Sequence, residues 1–266
     1  MTLRCGVVLP GGTASEQLEL AVLADRAGWD GVFVWEAAYG VDAWSLLAAM
    51  AVSTSRVKLG TMLTPLPWRR PWKVAGQVAT VDQLSGGRAV LAIGVGAVTT
   101  DLPLTGEELD LRTRAAMMDE GIDLMRSLWA GGLSYQGTHY SYEVSRDDLA
   151  QVGRPVQNPV PIWVVAVWPR PKSLRRAQRC EGVIPAGADT PDAVRAMRAW
   201  LGRPDQDFLA EGETSADAAE AAETVRPWAE AGCTWWMETR WEMPHHSPER
   251  LAEIRSRIEA GPPRLT

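Results

Sequence analysis

Between Arg56 and Gly96 the chain reads RVKLGTMLTPLPWRRPWKVAGQVATVDQLSGGRAVLAIGVG, two short apolar runs either side of a segment with helical spacing. No other stretch restricts the fold as much. Val57–Leu63 is too brief for a helix and is bounded by Pro65 and Pro67, which is how a buried strand reads. From Pro71 onward, Val74, Val78, Val81 and Leu84 recur every three or four residues, which predicts an amphipathic helix. Pro71 suits a first helical turn, where a missing N–H costs nothing, and Gly86-Gly87 supplies a left-handed stop. Ala89–Val95 is a second apolar run, with Gly94 and Gly96 leaving bare backbone at its end. Two buried strands joined by a helix run parallel, with a right-handed crossover.

That rhythm continues along the chain. Strands are predicted at Cys5–Leu9, Gly31–Trp35, Val57–Leu63, Ala89–Val95, Pro161–Val167, Gly182–Ala186, Asp207–Ala210 and Thr234–Arg240. Helices follow from about Ser15, Asp42, Pro71, Leu111, Lys172, Asp192, Ala216 and Pro248, the fourth with Met117, Gly121, Leu124 and Leu128 on its inner face. Strict alternation with no second compositional regime predicts an α/β fold, a closed (β/α)8 TIM barrel in one domain over residues 1–266. Two departures are expected: a polar excursion after strand four, Ala97–Asp110, and a small hairpin before strand five, Leu133–Tyr142 around Gly137. Arg146–Pro159 reads as an excursion rather than a domain boundary, its Pro-containing polar stretch being too short for a linker.

The formal charge of −6, without a basic cluster, argues against a nucleic-acid partner. No apolar run is long enough to span a membrane, and MTLRCGVVLP enters a strand without a signal pattern, so the expected location is the cytoplasm. There Cys5, Cys180 and Cys233 read as free, buried thiols.

In parallel barrels chemistry sits at the C-terminal ends of the strands. The histidines, His139, His245 and His246, are absent from the early strand ends, so a metal hydrolase lacks ligands. Lys58 lies at the start of its strand, which argues against a Schiff-base enzyme. No nucleophile elbow or phosphate-cradling Gly-rich motif is present. What remains at the strand ends is apolar, aromatic or glycine, a mouth suited to a planar cofactor that brings its own chemistry. The 13 Trp against 2 Phe follow either from base composition or from a pocket for a flat ligand. In the second case Trp35, Trp68 and Trp168 are the substrate-pocket candidates. Glu36, a charge closing strand two, is the candidate catalytic group, with a peripheral salt bridge as its alternative. The Trp168–Ser173 segment offers Arg170, Lys172 and Ser173 to a phosphate, or is a solvated loop.

The stretches LGTMLTP…RRPWKVAGQVATVDQLSGGRAVLAIGVG, GWDGVFVWE and PIWVVA…SLRRAQRCEGVIPAG resemble the luciferase-like monooxygenase family over about Cys5–Gly187. The resemblance implies a TIM barrel, often dimeric, that binds FMN or the deazaflavin F420 at the strand mouths. It implies ring contacts from Thr61, Met62 and Thr64, with a non-proline cis peptide at Thr61–Met62. Gly94, Val95 and Gly96 then face the ring edge. Arg170, Lys172 and Ser173 hold phosphate, and Ala186-Gly187 pass the cofactor side chain. The partners so implied are an apolar small-molecule substrate, a reductase supplying reduced cofactor, and a second copy in a homodimer. Deazaflavin-dependent sugar-phosphate dehydrogenases of this family carry His after the strand-two acid and Glu after the strand-four glycines; here these are Ala37 and Ala97. Trp168-Pro169-Arg170-Pro171 also replaces a glycine pattern. Two functions stay open: a flavin- or F420-dependent oxidoreductase, and a cofactor-less barrel serving as a binding or structural protein.

Overall fold

In the computed structural model, which describes residues 3–37, 40–97, 107–152, 154–240 and 248–265, the apolar runs become strands wherever both faces can be covered. The strands are β1 (Arg4–Leu9), β2 (Gly31–Val34), β3 (Lys58–Thr61), β4 (Thr64–Pro65), β5 (Ala89–Gly94), β6 (Ser134–Gln136), β7 (Ser141–Glu143), β8 (Ile162–Val167), β9 (Gly182–Ala186), β10 (Asp207–Gly212) and β11 (Trp235–Glu238). The order β3-β2-β1-β11-β10-β9-β8-β5, closed by β3 against β5, makes an eight-stranded parallel barrel. The fold is the expected (β/α)8 barrel, and the β6–β7 hairpin lies before strand five as read from the sequence.

The helices are α1 (Ala14–Ala27), α2 (Ala43–Ser53), α3 (Pro71–Ser85), α4 (Leu111–Ala130), α5 (Arg146–Val152), α6 (Pro171–Ala177), α7 (Pro191–Leu201), α8 (Ala218–Glu230) and α9 (Pro248–Glu259). Thr13 starts α1 through a reciprocal capping box with Glu16, and Asp42 caps α2 by accepting from the Ser45 amide at 2.7 Å. Alternation along each strand divides the core. Val7, Val32, Leu91 and Val164 pack outward against the helices, while Phe33, Met62, Ala92, Trp163, Leu209, Trp235 and Met237 fill the barrel. Phe33 stacks on Trp163 at 5.3 Å and Trp163 meets Trp235 edge-on at 5.2 Å. This plug needs bare backbone beside it: a Cβ on Gly31 would stand 2.7 Å from the Phe33 ring. Part of the tryptophan excess is therefore barrel core.

Several boundaries differ from the sequence reading. Strand three ends at Thr61, and after a cis bond the chain pairs again as β4, against β5. That cis bond joins Met62 and Leu63, one residue later than the resemblance implied. The buried face of α4 keeps the expected Gly121 and Leu124 but runs through Met118, Ile122, Met125 and Trp129 in place of Met117 and Leu128, and Trp129 ties it to α3 through a 3.1 Å bond to the Ala75 carbonyl. Within the Arg146–Pro159 excursion, Arg146–Val152 is helical, with Asp147 and Asp148 in its first turn. Strand seven, a weak signal, is six residues long. Most of the Ala97–Asp110 excursion, and His245 and His246, lie outside the described residues.

Candidate functional site at the barrel mouth

Glu36 closes β2 and is buried, so its charge has to be met from within the protein. The Trp44 indole donates to it at 3.1 Å, and Thr64 and Arg69 make close contacts to its two oxygens. Thr64 thus spends its one hydroxyl proton on Glu36. In the Thr61–Thr64 pair, 2.8 Å apart, Thr61 is therefore the donor. Arg69 continues the chain to Gln77 at 2.8 Å. The ends of β2 and β3, β4, the turn leading to α3, and helices α2 and α3 are tied at this corner. Met62, next to Thr61, points the other way, into the barrel, and lines a cavity of about 270 Å³ with Ile184, Leu209, Glu211 and Met237.

The tip of β5 forms the next wall. Gly94 faces inward, where a Cβ would come within 2.9 Å of Leu63. Gly96 sits at φ 76°, and the Trp68 ring occupies the place of its missing Cβ. Trp68 is itself buried, beneath the guanidinium of Arg114. Arg114 reaches from α4 to the carbonyls of Val95 and Gly96 at 2.8 and 2.7 Å.

A larger cavity, about 760 Å³, opens between β5, β8, α4 and α6. Val95, Val165 and Val167 make its apolar strand side, and Arg112, Arg170, Lys172, Arg175, Arg176 and Arg179 its helix side. Arg176 is held by Asp119 at 2.6 Å, and Arg179 pairs with Asp123. Among the described residues, no acid lies within ion-pair distance of Arg170, Lys172 or Arg175. Ser173 accepts from the Val167 amide at 3.0 Å, which leaves its hydroxyl proton to donate. Prolines 169 and 171 contribute no N–H here. Trp168 bonds the Ala186 carbonyl at 2.8 Å, and Gly187 turns beneath it at φ 77°.

The expected residues thus fall into two groups. Thr61, Met62, Thr64 and Gly94–Gly96 gather at the β3–β5 corner; Arg170, Lys172, Ser173, Ala186 and Gly187 gather where β8 and β9 end. Only Val95, Arg170, Lys172 and Ser173 line the larger cavity, and Met62 lines the smaller. Trp35, Trp68 and Trp168 line neither. Arg69, Arg114 and Arg175 are the residues the sequence reading did not single out. Arg114 left a signal: it falls four residues before Met118, a charge on the apolar row of α4.

Other reactive groups are held away from chemistry. Burial pushes the Cys5, Cys180 and Cys233 thiols up to about 12. Lys58, at the opposite end of the barrel, donates to the Gly87 carbonyl at 3.1 Å and to Gln157 at 3.2 Å. Among the described residues no His, Cys, Asp and Glu cluster could hold a metal, and no helix is long and apolar enough to cross a membrane.

Comparison with known proteins bears on the family and the fold. A family model described as luciferase-like monooxygenase matches residues 3–264. The chain is 33% identical over 243 residues to an F420-dependent glucose-6-phosphate dehydrogenase of Beutenbergia cavernae, covering 82% of this chain and 69% of that one. With other curated relatives it shares only about half of their length. Among solved structures, the coenzyme F420 dependent tetrahydromethanopterin reductase of Methanopyrus kandleri superposes with a TM-score of 0.74 at 17% identity, over 98% of this chain and 99% of that one. The oxygenating constituent of a Baeyer–Villiger monooxygenase of Pseudomonas putida, solved with FMN, gives 0.63 at 20% identity, over 85% and 71%. At such identities the superpositions speak for the fold alone.

Proposed function

Because the chain belongs to the luciferase-like monooxygenase family, we propose that it is an F420- or FMN-dependent oxidoreductase acting on an apolar small molecule. The observation that carries this reading is the larger cavity, with apolar strand tips on one side and cations lacking an acid partner on the other. A flat ring with an anionic side chain has those two halves, so the residues fit such a group. The bound ring would supply two-electron transfer, as hydride or to oxygen.

The chain's own residues then bind and orient. Arg170 and Lys172 meet the anionic end with charge-assisted bonds, and Ser173 adds a hydroxyl donor. Gly94 and Gly96 leave their Cβ positions to Leu63 and Trp68 rather than to the ring, so contact there is through backbone polar groups, and Val95, Val165 and Val167 keep water from the ring's face. Ala186 and Gly187 leave room for the ribityl-type chain. Trp35 and Trp168, half-exposed at the mouth, flank the substrate's approach, with Trp68 bracing the Gly96 turn from behind. Glu36 is the polar group of the corner, and with three donors on its carboxylate it acts through Thr64 rather than by taking a proton. Neither Ala37 nor Ala97 can serve as base or acid, which speaks against the sugar-phosphate oxidation for which the Beutenbergia relative is named. A reductase partner, a homodimer and a cytoplasmic location complete the reading.

The two curated relatives that match over four-fifths of this chain are named for F420, which puts F420 first in the test. Titration should quench F420 fluorescence, or yield a yellow FMN complex, with Kd below about 100 μM, roughly −5.5 kcal/mol. If neither binds, the second reading takes over: a barrel that keeps the fold without the cofactor, which the proline-interrupted Trp168–Pro171 turn favours.

A further inference from the structure

The carbonyls of Val95 and Gly96 both accept from a single nitrogen, Arg114 Nη1. Three observations set this contact apart from ordinary helix-to-loop packing. The turn it holds is where β5 leaves the barrel, and Val95 lines the larger cavity. The contact is also costly. Arg114 is 4% exposed and leaves its Nε without an acceptor. Trp68, under the same guanidinium, leaves its Nε1 without one too. An apolar side chain would fill the position with less desolvation. Last, a trans peptide sets its N–H opposite its C=O. With the Val95 carbonyl drawn toward Arg114, the Gly96 N–H of the same peptide points the opposite way. The positive φ of Gly96 lets two successive carbonyls converge on one donor, and Trp68 leaves no room there for a Cβ.

We infer that Arg114 is a positioning residue of the mouth: by holding the Val95 and Gly96 carbonyls it presents the Gly96 amide as a fixed donor to an acceptor on the edge of a flat heteroaromatic ring. This rests on the cofactor reading above and adds to it a named donor and the side chain that aims it.

Arg114→Met keeps an unbranched apolar stem and removes the guanidinium; Arg114→Lys keeps the charge on a stem one bond shorter, so its Nζ falls short of the position from which Nη1 holds both carbonyls. In a cofactor-free crystal structure of R114M, the Val95–Gly96 peptide should rotate and Gly96 should leave φ near 76°. An unchanged turn overturns the inference. In titrations with F420 and FMN, R114M should raise Kd tenfold or more and R114K by a lesser factor. The visible band of the bound chromophore should move toward its free position in R114M. A folded R114M with wild-type Kd and an unmoved band overturns the inference while leaving the oxidoreductase reading intact. A wild-type chain that binds neither cofactor sinks both. If R114M does not fold, R114K carries the test: a threefold or larger rise in Kd supports the inference and an unchanged Kd overturns it.

Discussion

Two polar corners of the barrel mouth are completed to different degrees. Where β2, β3 and β4 end, Glu36 takes bonds from Trp44, Thr64 and Arg69, Thr61 feeds Thr64, and Arg69 goes on to Gln77. Where β8 gives way to α6, Arg170, Lys172 and Arg175 face a cavity with no acid partner among the described residues, although Arg176 and Arg179 beside them are paired. The reason is burial. A carboxylate cut off from water is tolerable only when the protein itself satisfies it, whereas a cation on an open wall is satisfied by water until an anion displaces it. The first corner should therefore register in stability and the second in binding.

The largest effect is expected at the closed corner. Glu36→Gln leaves Arg69 facing a neutral amide, and breaking a pair with one buried partner should cost about 3 kcal/mol of unfolding free energy in urea. A loss below about 1 kcal/mol would break the comparison, because Glu36 would then be no more committed than Arg170. Next comes Arg170→Ala, expected to weaken cofactor binding tenfold or more, since a charge-assisted contact to phosphate is worth about 1.5–3 kcal/mol. Its urea midpoint should stay at the wild-type value; unchanged affinity would move the anion site elsewhere.

Asp25 extends the rule away from the mouth. It accepts from the Ser55, Arg56 and Val57 amides at 3.0, 2.8 and 2.9 Å. Burial pushes its carboxyl up, but these bonds outweigh it and hold the pKa below the usual 3.8. A lowered folded pKa means that the contribution is present above the unfolded value and is lost as pH falls through the folded one. Asp25→Asn should cost about 1.5 kcal/mol at pH 7, and its melting curve should converge on wild type as pH drops below the carboxylate range. A pH-independent gap would contradict the sign. The smallest effect should come from Arg179→Ala. Its partner Asp123 and the Arg side chain are both over 40% exposed, so a change within about 0.5 kcal/mol in stability and less than twofold in affinity is expected. A tenfold loss of affinity there would show that pairing does not separate the two kinds of cation.

Much of this was legible in the chain itself. Val74, Val78 and Val81 announced α3 by spacing, Gly86 announced its end, and eight alternations announced the barrel, because strand and helix periods are written locally. Arg170, Lys172 and Ser173 were legible as polar residues following a strand, and the structure brings them to one cavity. The roles of Arg69 and Arg114 were not, since each is defined by a partner 33 or 19 residues away. An arginine that clasps two carbonyls looks, in one dimension, like any arginine on a helix.

The sequence alone determined the order of elements, the parallel barrel and the absence of a histidine or lysine at the early strand ends, since these follow from periodicity and residue type. Only the tertiary structure decided that Phe33, Trp163 and Trp235 fill the barrel, that Glu36 is tied on three sides, and that three cations are left facing a cavity. Those outcomes depend on which strand ends lie side by side once the sheet closes. Closure is a property of all eight strands at once.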